Sequence, residues 1–184
     1  MLEIEVPGGP ESWDEVNECF IIPDSTTLKL EHSLVSISKW ESRWHKPFLT
    51  TQGNMTDEET IHYIKCMTLT QNVADEVFER AARSHICINK IAEYINNPMT
   101  ATTFREEKGA KSSREIVTSE LIYYWMFESG IPIECQKWHL NRLLTVIRVC
   151  SVKRQPPKKR SKRDIMSSNA ALNAARRAQL NTKG

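Results

Sequence analysis

The chain has 184 residues, 40% of them hydrophobic, and 25 Lys and Arg against 23 Asp and Glu give a formal charge of +2. Length and apolar content suit one globular domain with an appendage and exclude a wholly disordered chain; no apolar run approaches the ~20 residues that span a bilayer. The small net charge is a cancellation: residues 1–152 carry 15 basic and 22 acidic residues, a net of −7, while residues 153–184 carry 10 basic residues and the single acid Asp164, a net of +9.

Leu2, Ile4 and Val6 alternate with Glu3 and Glu5, the period of a half-exposed strand. This opening has no basic n-region and no apolar h-region, so it does not read as a signal peptide. Pro7-Gly8-Gly9-Pro10 breaks the strand, Cys19 to Ile22 is a second apolar run, and Thr26 to Leu30 alternates again. Residues 1–31 are therefore expected to form a small antiparallel β element of two or three strands.

The period then becomes helical. Leu34, Ile37, Trp40 and Trp44 share a face, with Ser33 as a cap and Pro47 forcing an end by His45. Thr56 and Glu59 have the spacing of a capping box, and Asp57, Glu58 and Glu59 suit the positive end of the helix dipole. Glu76 to Arg83 and Ile86 to Ile95 predict two further helices, the second stopped by Asn96-Asn97-Pro98. Residues 99–113 are polar and read as a surface loop, and Ser112 and Glu115 have the spacing of another capping box. The next helix holds Ile116, Val117 and the run Leu121 to Phe127; it is apolar almost all round, which predicts a central, buried helix. Gly130 and Pro132 end it, and one helix is expected from about Glu134 to Val152.

From Lys153 the composition changes. Pro156-Pro157 favours an extended segment, and Lys158, Lys159, Arg160, Lys162 and Arg163 form a dense cationic run. Ser161 to about Leu180 has helix-forming residues, few large apolar ones, and the cations Arg176 and Arg177, so this helix is expected to form best against a partner. The predicted class is mainly α: a β element over 1–31, a helical body over 32–152 and a basic, partly helical tail over 153–184.

Candidate chemistry is sparse. His62 and Cys66, like Cys135 and His139, lie four apart on expected helices, and two such pairs have the composition of a Cys2His2 zinc site. The usual fingerprint spacing is missing, however, and buried thiols are commonly small core residues. No glycine-rich phosphate cradle and no nucleophile signature occurs. The reading is no catalytic residue, no cofactor and no metal, with the five cysteines as reduced thiols. The aromatic residues Trp40, Trp44 and Trp138 are candidates for a partner-binding surface, and Lys158, Lys159, Arg160, Lys162, Arg163, Arg176 and Arg177 for binding an acidic protein or nucleic acid.

Four stretches carry a resemblance: Leu30 to Leu49 (LEHSLVSISKWESRWHKPFL), Asp57 to Thr70 (DEETIHYIKCMTLT), Leu121 to Cys150 (LIYYWMFESGIPIECQKWHLNRLLTVIRVC) and Ser161 to Gly184 (SKRDIMSSNAALNAARRAQLNTKG). They resemble small morphogenesis proteins of tailed phages and prophages, and the size and helical character are similar to siphophage tail assembly chaperones. In that family a helical domain binds the tape measure protein and an extension recruits tail tube subunits. The resemblance thus implies a non-enzymatic protein of the host cytoplasm with the tape measure and tail tube proteins as partners and no membrane association. The N-terminal strands are not a feature the family requires. A minor virion structural or connector protein, or a nucleic-acid-binding module acting through the tail, are the alternatives.

Overall fold

The computed structural model describes residues 1–10, 12–16, 18–21, 24–104, 115–154 and 162–181. The fold is mainly α. It divides into a unit from Met1 to Ser151 and a second from Val152 to Gly184.

The first unit begins with four short strands rather than two or three: β1 (Leu2–Val6), β2 (Ser12–Asp14), β3 (Cys19–Ile21) and β4 (Thr26–Leu30). β1 pairs antiparallel with β4, with Ile4 opposite Leu28 and Leu2 opposite Leu30. β2 and β3 make a separate hairpin nested between them, with the Trp13 and Phe20 rings edge to face at 5.0 Å. Alternation explains the outer ladder: Ile4, Val6, Leu28 and Leu30 all point to one face and are buried, while Glu3 and Lys29 pair on the other. That buried face of β1 and β4 joins the core of the helices.

Helix α1 (Leu34–Trp44) starts at Ser33, whose hydroxyl accepts from the Ser36 amide while Ser36 returns a bond to the Ser33 amide. It ends at His45, which takes a left-handed conformation (φ 53°) and donates its amide to the Glu41 carbonyl. A single turn, α2 (Phe48–Thr51), follows, then α3 (Asp57–Met67) with the expected Thr56–Glu59 capping box in place. The segment after α3 returns to the sheet, where Leu69 N donates to Lys29 O at 2.8 Å and Glu31 N to Met67 O at 2.9 Å. Helices α4 (Asp75–Arg83) and α5 (His85–Asn96) complete this half.

Helix α6 (Ser119–Glu128) starts later than its apolar pattern suggests, and Ile116 and Val117 precede it. Thr118 caps it, and the Glu41 carboxylate takes the Ser119 amide, fixing the first turn there. Ser112 of the proposed earlier cap lies outside the described residues. Gly130 (φ 66°) closes α6: its amide bonds Phe127 O and the Ile131 amide bonds Met126 O, a Schellman motif. Only Ser119, Ile122 and Met126 of α6 are buried, so this helix is not central.

The expected helix from Glu134 to Val152 is two pieces, a 3₁₀ turn (Ile133–Lys137) and α7 (Leu140–Arg154). A long-range contact breaks it. His139 forms a bridge with Ser33, and the Leu140 amide donates to His32 O at 2.8 Å instead of to a carbonyl of its own helix. In the second unit, α8 (Lys162–Leu180) has none of its described side chains buried. No described helix is long and apolar enough to cross a membrane.

Candidate partner-binding surfaces

The tryptophans singled out in the sequence separate. Trp40 is fully buried, packs edge to face on Phe48 at 5.3 Å, and donates its indole N–H to Glu59 O at 3.0 Å. This corrects its assignment to a binding surface: it is a core side chain, projecting from α1 onto Phe48 and the α3 carbonyl of Glu59. Trp44 is half-buried and donates its indole N–H to Nδ1 of His62 at 3.3 Å. Trp138 is 37% exposed, and the Arg142 guanidinium lies over its ring at 4.6 Å. Trp138, Arg142 and Lys137 line a shallow cavity of about 270 Å³, beside His139, Glu31 and Tyr94.

Beneath this cavity runs a polar seam. His32, 1% exposed, shares a hydrogen bond through Nδ1 with the Tyr63 hydroxyl, and its ring meets that of His139 at 5.2 Å. A ring nitrogen of His139 faces Tyr94 O at 3.0 Å, and the Tyr94 hydroxyl donates to Glu31 at 2.7 Å. Burial, then the neighbouring His139, pulls His32 from its ordinary 6.5 to about 3, so both its nitrogens serve a neutral ring at neutral pH. Burial also lowers His139 and raises Tyr63 and Tyr94.

Two buried carboxylates hold the helix ends. Glu41 accepts the Phe48 amide at 2.8 Å and the Ser119 amide at 2.7 Å, so one side chain of α1 caps the first residues of α2 and α6. Glu59 accepts from Lys46 at 2.6 Å and from the Thr56 amide at 2.9 Å, and these donors hold its carboxyl below the usual range.

The two His–Cys pairs do not converge. His62 and Cys66 remain neighbours on α3, Sγ 3.7 Å from Nδ1, and burial raises the Cys66 thiol to about 11, which keeps it protonated. Cys135 and His139 are not on one helix, since the 3₁₀ turn and the bridge at His139 separate them. Cys66, Cys87, Cys135 and Cys150 are free thiols, and among the described residues no group of His, Cys, Asp and Glu has the arrangement of a metal site.

Of the basic tail residues, Lys158, Lys159 and Arg160 lie outside the described residues. Lys162, Arg163, Arg176 and Arg177 lie on α8 and are exposed. At about 100° per residue these four and the large apolar Ile165, Met166, Leu172 and Leu180 fall on one half of the helix. Ser167, Ser168, Ala171, Ala175 and Ala178 fill the other half. Sequence reasoning missed this organisation, and it missed the exposed aromatic side of α6, where Tyr124 is 58% and Phe127 63% exposed. For α6 the signal was Glu120 and Glu128, which share that side with the rings. Compared with known protein families, curated proteins and solved structures, the chain matches none of them.

Proposed function

We propose that this chain is a non-enzymatic morphogenesis protein of a tailed phage or prophage, acting in the host cytoplasm as a tail assembly chaperone. In this reading the body holds the tape measure protein and the basic extension engages an acidic surface of the tail tube protein. The observation that carries it is α8, nineteen residues of helix with every large apolar and every cationic side chain on one half and none buried. A helix built this way gains its stability from what it binds. The client surface on the body is Trp138 with Arg142 and Lys137; Trp44 is half-hidden and Trp40 takes no part.

Co-expression with the tape measure protein tests the proposal. The expected result is more soluble tape measure protein, which co-purifies with this chain and does so less with Trp138→Ala. No gain in solubility together with no co-purification overturns it. Mass spectrometry of mature particles is expected to find the chain absent; its presence favours a minor structural or connector role. The clustered cations of α8 also support a second reading, nucleic-acid binding through the tail. That reading requires affinity that falls steeply with salt, as counterion release dictates, and is lost on deleting residues 153–184.

A further inference from the structure

Helix α6 has two packing faces, and the body uses one of them. Ile122 and Met126 are fully buried on the inner face. At about 100° per residue, the exposed Glu120, Tyr124, Phe127 and Glu128 gather on the other, with Tyr123 at its edge, half-buried and packed partly against the core. Their spacing of i, i+3, i+4, i+7 and i+8 is that of a stripe which packs against another helix. Residues 120, 124 and 128 form one ridge, and 123 and 127 a second, with a groove between them that admits the ridge of a neighbour.

The platform is already ordered. The rings of Tyr123 and Phe127 stack with centroids 6.4 Å apart at 21°, and the Tyr123 hydroxyl donates to Gln136 at 2.8 Å. Ordered aromatic side chains lose little entropy on binding, and they dominate protein–protein contact energies. The charged side chains that α6 itself places on this face, Glu120 and Glu128, are both acidic; His45 and Lys46 border Glu120, and Lys46 is paired with Glu59. Hydrogen bonds from its own amide and from Thr118 and Ser119 lower the Glu120 carboxyl, which keeps it ionised. Arg148 lines the pocket beyond Glu128, but its guanidinium is turned onto the Phe104 ring at 4.2 Å. An acidic rim repels phosphate, whether of nucleic acid or of anionic lipid, and favours Lys and Arg, which also lie well on aromatic faces.

We propose that the Tyr123, Tyr124 and Phe127 face of α6 is a docking surface for a basic amphipathic helix of a partner protein. The partner's aliphatic side chains sit on the rings, and its lysines or arginines pair with Glu120. This surface lies on different residues from the Trp138 patch and stands apart from the tail assembly reading.

The test is calorimetric titration of the full chain with a short Leu/Lys amphipathic helical peptide, with a Leu/Glu peptide of the same pattern as control. Saturable binding of the Leu/Lys peptide is expected, weakened about tenfold or more for the Leu/Glu peptide and for the chain carrying Tyr124→Lys and Phe127→Lys. Both altered residues are exposed, so thermal melting is expected to match the unaltered chain; if it does not, Tyr124→Ser alone replaces the pair and must weaken binding. Glu120→Gln is expected to lower affinity for the Leu/Lys peptide and to flatten its salt dependence. Undiminished binding to the substituted chain, or equal binding of the two peptides, overturns the proposal. So does a concentration-dependent dimer that the substitutions abolish in sedimentation, which gives the face to a second copy. Failure of tape measure co-purification with peptide binding intact removes the tail assembly reading alone; the reverse result removes the docking surface alone.

Discussion

Helices α1 and α8 make an instructive pair. The first has eleven residues and the second nineteen, and the longer one has the better intrinsic helix formers. Yet α1 buries Leu34, Ile37, Trp40 and a carboxylate that caps two other helices, whereas α8 buries none of its described side chains. Length and propensity make a helix possible; the side chains it removes from water give it a place in a fold. In α1 one face is spent on the core. In α8 the equivalent face remains open, and its mixture of Leu, Met, Ile, Lys and Arg suits an external surface better than an apolar interior.

Substitutions probe this contrast over a graded range. Trp40→Ala removes the largest buried side chain of α1 and its bond to Glu59, and is expected to cost about 3–5 kcal/mol in urea denaturation. A loss below about 1 kcal/mol breaks the claim that α1 anchors the core. Glu41→Ala leaves two buried amides unpaired and is expected to cost about 2–4 kcal/mol, with Glu41→Gln recovering part of it. Acid provides a third test. His32 takes its proton near 6.5 when unfolded but only near 3 in the fold. Its share of stability is therefore complete above pH 6.5, declines by up to about 1.4 kcal/mol per pH unit below that, and levels off below pH 3. His139 and His62 are lowered too and steepen the same limb. Denaturation midpoints of His32→Gln between pH 7 and pH 4 are expected to fall less steeply than those of the unaltered chain. On α8, Ala171→Gly is expected to lose about 1 kcal/mol of helix propensity, seen as reduced helical circular dichroism, with the body's urea midpoint unmoved. Met166→Ala is expected to change folding stability by less than about 0.5 kcal/mol while weakening partner capture.

Features governed by neighbours in sequence were legible in it. The caps at Ser33 and at Thr56 with Glu59, the strand alternation of Leu2 to Val6, the stop at Gly130 and the extent of α8 all depend on residues within a few positions. Features governed by distant partners were hidden. Nothing between Glu134 and Val152 announces that Leu140 will bond His32, so the helix reads as continuous until the strand-like bridge at His139 interrupts it. The reach of Glu41 across 78 positions to Ser119 has no local trace. For α6, hydrophobicity on all sides predicts burial, but it does not distinguish a helix buried in its own chain from one left open to another. Residue type alone did not separate the tryptophans: Trp138 is partly exposed, while Trp40 carries the same side chain into the core at the spacing of a core stripe.

The seam between His32 and His139 also bears on how the protein is made. It joins residues more than a hundred positions apart, and the Trp40 core lies next to it. A ribosome adds about 5–20 residues per second, so the first helices wait several seconds for their partner strand segment to emerge. During that interval α3, α4 and α5 are already available to cover β1 and α1, and the side of α1 that meets the segment around His139 is the part left waiting. Leu143 and Ile147 of α7, which follow the seam, are core residues too, so the body completes its packing only when its last helix has been made.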